Sequence, residues 1–256
     1  MTALNGYTDK GRSVSDLKTD DKERVLVIPD IHLKPWIIEK ADDIMKAESL
    51  KKAVFLGDIA DDWDKQGDIG LYNETYRMVM EFTEKYQEAL FCYGNHDISY
   101  IWKKLETGYS YYAETVVMGW IMEMRKKLGQ RMAFVHRIGQ TVFSHAGITE
   151  RFVNRYFHEE QIDDVDDIIS AINFMGSNEL WKDDSPLWAR PDSMYYTTFS
   201  KEYLQICGHT PVKKPELKDS KILIADLFST YSDGKTPIGN QKFILADPNE
   251  QTWETV

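Results

Sequence analysis

Short apolar runs alternate with amphipathic stretches through the first hundred residues. RVLVIP (24–29) is a β-branched run stopped by Pro29, and the stretch opened by Pro35 sets Ile37, Ile38, Ala41, Ile44 and Met45 on one helical face. KAVFLG (52–57) reads as a second strand, Tyr72, Tyr76, Val79, Phe82 and Tyr86 mark a second helix, and FCYG (91–94) is a third strand. The alternation β-α-β-α-β implies a sheet with helical crossovers, an arrangement that brings the loops at the strand ends together.

Past residue 100 the pattern loosens. Helical signal runs through 110–128, then MAFVH and TVFSHAG read as neighbouring strands with Gly139 at the turn between them. LQICGH (204–209), KILIAD (221–226), KFILAD (242–247) and QTWETV complete a second run of strands. Connections too short for helical crossovers predict that this half is antiparallel. The acidic run IDDVDDII (162–169) suits a helix with one buried apolar face and one solvated face. No internal repeat or low-complexity segment interrupts the chain. Its 256 residues are read as a polar lead-in (1–23) and a single domain (24–256), with helical inserts at about 98–130 and 151–203.

Composition narrows the setting. A net charge of −11 argues against a nucleic-acid groove or an anionic membrane surface, either of which calls for clustered Lys and Arg. No apolar run approaches the length of a membrane span, and the N-terminal stretch has no apolar signal core. Cys92 and Cys207 are too few for a disulfide framework, so a reducing cytoplasm is expected. Both lie inside strand patterns, where a small buried hydrophobe is the expected role.

Chemistry gathers at the strand ends. Asp30-Ile31-His32 follows the first strand, Gly57-Asp58 the second and Gly94-Asn95-His96-Asp97 the third; Ser144-His145-Ala146-Gly147 and Gly208-His209-Thr210-Pro211 come later. Taken singly these are ordinary turn formers. Together they offer carboxylate oxygens and neutral imidazoles, the ligands that suit first-row divalent ions, with no thiolate among them. A carboxylate such as Asp58 can bridge two ions roughly 3.5–4 Å apart, a geometry suited to hydrolysis of a phosphoester.

In this order the motifs DIH, GD, GNHD, SHAG and GHTP resemble those of the calcineurin-like metallophosphoesterase superfamily, and GHTP with LWAR resembles its bacterial and phage protein-phosphatase branch. The resemblance spans residues 24 to about 247. It implies a layered α/β/β/α sandwich of two mixed β-sheets with helices outside. It further implies that Asp30 and His32 bind one metal, that Asp58 bridges, and that Asn95, His145 and His209 complete a second site. By position His96 becomes the proton donor to the leaving oxygen and Asp61 its supporting carboxylate. The implied cofactors are two divalent transition-metal ions, Mn first, with Fe, Zn, Ni or Co accepted by the same ligands. The expected reaction is in-line attack of a metal-bridging hydroxide on a phosphate monoester, with His96 protonating the departing alkoxide.

One position departs from the pattern. Where the family's GDxxDR supplies an arginine this chain has GDIADD, so Asp62 puts a carboxylate where a cation is expected, and a dianionic phosphate should bind less well. Arg190 of SPLWAR then becomes the candidate phosphate-gripping residue, since guanidinium suits bidentate phosphate contact. The substrate is read as a phosphoprotein or a nucleotide. Hydrolysis of a dinucleoside polyphosphate or a diester stays open as an alternative, as does, more remotely, a non-catalytic binding module. His136 and His158 match no motif and are read as structural or exposed. The tyrosines Tyr109, Tyr111, Tyr112, Tyr195 and Tyr196 either pack the core or line a substrate groove.

Overall fold

The computed structural model describes residues 23–157, 164–191 and 196–256. Nearly all of the lead-in, together with His158, Ile162, Asp163 and Tyr195, lies outside them. The first half folds as the pattern predicts: β1 (Val25–Ile28), α1 (Pro35–Ala47), β2 (Lys52–Phe55), α2 (Ile69–Lys85) and β3 (Leu90–Cys92). Strands β1, β2 and β3 pair in parallel, and β4 (Met132–Ala133) extends the run beside β3. Every residue of β1 is buried, as expected for parallel strands covered on both faces. Helix α1 buries Ile37, Ile38, Ala41 and Met45 while Ile44 is only partly covered. Each fully buried aliphatic side chain of this kind contributes about 1.5–3 kcal/mol.

The later half differs from the expectation. The hairpin of β5 (Val135–Ile138) and β6 (Thr141–Ser144) is antiparallel, but β6, β7 (Leu204–Pro211) and β9 (Ile222–Asp226) pair in parallel, with β8 (Glu216–Lys218) antiparallel at the edge. The crossover from β6 to β7 is long and carries the helices α5 (Glu150–Tyr156), α6 (Val165–Phe174) and α7 (Ser177–Leu180), which frees the two strands to run the same way. The final strands, β10 (Ile244–Asp247) and β11 (Thr252–Thr255), return to the first sheet, where β10 pairs antiparallel with β1. The two mixed sheets therefore have the orders β11-β10-β1-β2-β3-β4 and β5-β6-β7-β9-β8.

MAFVH is not one strand. Its Phe134 and Val135 N–H groups donate to the Asn173 side chain at 2.9 Å each, so the segment breaks and passes from one sheet to the other. The helix predicted over 110–128 begins at α4 (Glu114–Leu128), and α3 (Asn95–Trp102) precedes it. In α6 the residues Val165, Ile168, Ile169 and Ile172 are buried, and the exposed Asp166 pairs with Arg137 at 2.6 Å. Cys92 and Cys207 are free and buried. Among the described residues no helix is long and apolar enough to cross a membrane.

Candidate active site

The loops after β1, β2 and β3 lock to one another through their backbones. Asp58 C=O accepts from Ile31 N–H at 3.0 Å and His32 N–H at 2.8 Å, while the Asp97 carboxylate accepts from Asp58 N–H at 2.7 Å, Ile59 N–H at 2.9 Å and Gly94 N–H at 3.1 Å. Asp97 therefore fixes the turn that presents Asp58. Burial, then the field of Asp58, lifts its carboxyl to about 6. His32, Asp58 and His209 all hold left-handed backbone (φ 44°, 50° and 61°), a conformation costly for non-glycine residues and concentrated at sites that over-determine it. The glycines of GNHD and GHTP have a local reason. A Cβ on Gly94 would collide with the Asp58 carboxylate, and one on Gly208 with that of Asp30.

The six predicted ligand residues converge here. Asp30, His32 and Asp58 place one donor atom each within 4.8 Å of the others, as do Asp58, His145 and His209, so Asp58 is common to both groups. Its Oδ2 lies 3.3 Å from His145 Nε2 and 3.8 Å from His32 Nε2. Asn95, the first residue of α3, brings Oδ1 to 2.8 Å from His145 Nε2, and His209 Nδ1 lies 3.1 Å from the same nitrogen. His209 occupies an irregularity in β7, where the register against β9 shifts between Cys207 and Pro211, and its N–H donates to Asp30 Oδ2 at 3.0 Å. The motif GHTP is thus within a strand rather than in a turn after it.

This donor set fits divalent ions. His32 Nδ1 sits 2.9 Å from Asp61 C=O and His145 Nδ1 2.8 Å from Leu56 C=O, which places a proton on Nδ1 in both rings, so Nε2 is the nitrogen each can offer a metal, in His145 once a cation displaces its second proton. Burial lowers His32, and burial followed by the His145 charge lowers His209 well below the usual histidine range, so both rings are neutral. Burial opposes a charge on His145 as well, but the fields of Asp58 and then Asp30 outweigh it and raise that ring to about 9. A pocket that holds a proton so firmly presents the same negative field to a cation. His209 Nε2 is buried with no protein partner among the described residues.

His96 stands beside this cradle. Its Nδ1 lies 3.0 Å from Asp61 Oδ2, and its backbone N–H donates to Asp58 Oδ1 at 2.9 Å. The other oxygen of Asp61 accepts from Tyr72 Oη–H at 2.8 Å and Tyr100 Oη–H at 2.5 Å, and Tyr100 Oη in turn accepts from Ser110 N–H. Desolvation opposes a charge on His96, yet the field of Asp58 and the hydrogen bond with Asp61 raise it to about 9.

A cleft of about 360 Å³ opens above these groups, with Glu106, Thr107 and Gly108 on one side and Trp188 and Arg190 on another. Arg190 is exposed at the mouth, where its Nη1 donates to His209 C=O at 3.1 Å. Asp62 also lines the cleft, but its carboxylate does not face it unpaired. Lys34 Nζ lies 3.1 Å from Asp62 Oδ2, which corrects the expectation of an uncompensated negative charge at this position. Burial lowers the Lys34 ammonium, and Asp62 opposes that shift. Asp64 is exposed and left-handed at φ 58°, and nothing in the structure gives it a further task.

Sequence reasoning missed four residues of this neighbourhood. In the sequence Tyr72 only marks a helix, and neither Tyr100 nor Lys34 carries a signal of its own. Asp226 ends the apolar run KILIAD, a placement like that of Asp30 and Asp58, and this was the available signal. It is buried, one oxygen accepts from Ser229 N–H at 3.2 Å, and Oδ2 has no partner among the described residues. Burial raises its carboxyl. His136 is buried with Nε2 3.1 Å from Phe91 C=O, a structural role. Tyr109 stacks on Tyr100 and Tyr196 Oη–H donates to Ala146 C=O at 2.7 Å, whereas Tyr111 and Tyr112 are exposed.

Comparison with known proteins agrees with this architecture. The model of the calcineurin-like phosphoesterase family matches residues 23–213. A cold-active protein-tyrosine phosphatase of the psychrophile Shewanella sp. superposes with a TM-score of 0.56 at 17% identity, covering 91% of this chain and 80% of that one. A protein serine/threonine phosphatase from Saccharomyces cerevisiae, described as similar to human phosphatase PP5, superposes with a TM-score of 0.52 at 12% identity, covering 90% and 75%. At such identities the likeness establishes the fold. No curated protein sequence matches.

Proposed function

The chain belongs to the calcineurin-like phosphoesterase family and is a phosphoester hydrolase, and from that premise we propose that it is a two-metal phosphomonoesterase of the protein-phosphatase kind. The observation that carries this reading is the sharing of Asp58 by two donor clusters, with the His96–Asp61 pair set beside it. Asp30 and His32 would hold one ion, Asn95, His145 and His209 the other, and Asp58 both. Bound there, such ions supply Lewis acidity toward phosphoryl oxygens and acidify a water. Manganese is the first ion to test.

The chain's own groups do the rest. His96, charged at neutral pH, gives its Nε2 proton to the leaving oxygen. Asp61 accepts from Nδ1 and stabilises the imidazolium, and the two tyrosine hydroxyls hold Asp61 in place. Arg190 meets the phosphate at the mouth of the cleft. The inserts at about 98–130 and 151–203 select the substrate, a reading supported by Glu106, Thr107 and Trp188 in the cleft wall. The free, buried Cys92 and Cys207 support a cytoplasmic setting.

Chelator treatment followed by Mn²⁺ readdition tests this reading, with p-nitrophenyl phosphate compared against bis-p-nitrophenyl phosphate. Metal-restored turnover of the monoester is expected, at a higher kcat/KM than the diester. Preference for the diester, or stoichiometric metal with no turnover of either ester, would overturn it.

A further inference from the structure

Lys34 is held in the cleft at some cost. It is 7% exposed, and its ammonium meets Asp62 Oδ2 at 3.1 Å and His32 C=O at 3.2 Å, so two of its three N–H donors are used. Both side chains of the ion pair are only 8% exposed. A buried pair of this sort gains little over apolar replacements, because the desolvation of both charges offsets their attraction. Lys34 is moreover the N-cap residue of α1, where the helix dipole repels a cation and favours an anion.

The backbone is bent to put it there. His32 and Leu33 are consecutive left-handed residues at φ 44° and 53°, and the turn closes through Lys34 N–H to Ile31 C=O at 3.1 Å. Two residues beyond His32, the ammonium therefore turns back onto the His32 carbonyl, and Lys34 lines the same cleft as His32, Asp58 and His209. The described lining of the cleft includes five carboxylates (Asp58, Asp61, Asp62, Glu106 and Asp226) and, of lysines and arginines, Lys34 inside and the exposed Arg190 at the mouth. An arrangement unfavourable to the helix and neutral for stability is accounted for when an anion binds beside it.

We propose that Lys34 is a substrate-binding residue whose ammonium holds a non-bridging oxygen of the phosphoryl group, and that Asp62 is the positioning residue that keeps the ammonium over the cradle. The inference rests on the phosphomonoesterase reading and names the group that recognises the dianion. It also accounts for a carboxylate at position 62: the cation comes from the first loop, and Asp62 aims it.

The test uses Mn²⁺-loaded protein and two variants, Lys34→Met and the double variant Lys34→Met/Asp62→Asn, the second removing the carboxylate that the first leaves unpaired. Calorimetry with inorganic phosphate reads the site without turnover, and Mn²⁺ titration reads the cradle. Phosphate affinity and the reciprocal KM for p-nitrophenyl phosphate are expected to fall about ten- to a hundredfold in both variants, the range of a hydrogen bond to a charged group. Bound Mn²⁺, and KM for the monoanionic diester, should change little. Lys34→Arg should recover part of the phosphate affinity. Unchanged phosphate affinity in the double variant with Mn²⁺ fully bound would overturn the proposal. If the unaltered protein binds phosphate through Lys34 but hydrolyses no ester, the functional reading fails and this one stands.

Discussion

The floor and the mouth of the cleft are built differently. On the floor, donors from the strand ends of both sheets are locked by many bonds: Asp97 brackets Asp58, Asp61 is held by two tyrosines, and His32 and His145 are each oriented by a backbone carbonyl. At the mouth, Arg190 is exposed and holds one hydrogen bond to His209 C=O. The difference separates the groups around the reacting phosphoryl, Lys34 among them, from the outermost contact. Groups that must act at a fixed distance from a reacting atom are pre-organised and buried, whereas a group that meets the substrate at the entrance keeps freedom to adjust.

Breaking the floor should have the largest effects. Asp58→Asn removes the carboxylate common to both clusters and is expected to abolish measurable turnover with loss of bound metal, checked by assay and elemental analysis. His96→Asn comes next, with kcat for an alkyl phosphate falling about 10²–10⁴-fold while metal content stays the same. Because the Asp61 hydrogen bond raises His96, its proton is present below the raised pKa and lost above it. The unaltered protein should therefore lose activity toward poor leaving groups as pH rises through that pKa, and the His96→Asn profile should lack that descending limb. Equal activity of the two proteins on an alkyl phosphate would remove His96 from the reaction.

Disturbing the mouth should do less and do it differently. Arg190→Ala is expected to raise KM for the monoester about tenfold with kcat and metal content nearly intact, as suits an exposed charged contact. The smallest effect belongs to the outer support of the floor. Tyr72→Phe removes one hydroxyl from Asp61 and should lower kcat by about two- to tenfold, the worth of one hydrogen bond, with Tyr100 still in place. A larger loss in Arg190→Ala than in His96→Asn would erase the division between floor and mouth.

The same division marks what the sequence made legible. Asp30, His32, Asp58, Asn95, His145 and His209 stand out in the sequence because each closely follows an apolar run, a signal that one-dimensional order preserves even for His209, which lies within β7 rather than at a turn. The pairing of Lys34 with Asp62 does not stand out, since the two lie 28 positions apart in the chain and meet only when the turns after β1 and β2 close on each other. Tyr72 and Tyr100 sit on buried helix faces, where periodicity reports burial and is silent about a hydroxyl. The parallel pairing of β6, β7 and β9 was hidden for another reason. Strand direction depends on the path of the crossover between strands, and the helical insert at 151–203, though readable as helix, does not by itself say on which side it returns the chain. Asp226 shows the opposite failing, a strand-end carboxylate of the right kind that matched no motif.

The most direct test of the shared-Asp58 cradle is a calorimetric titration of chelator-treated protein with Mn²⁺, run alongside Asp58→Asn. Two bound ions per chain in the unaltered protein, with binding at both sites weakened by the single substitution, is the predicted result. One ion per chain, or a second ion indifferent to Asp58, would contradict the account.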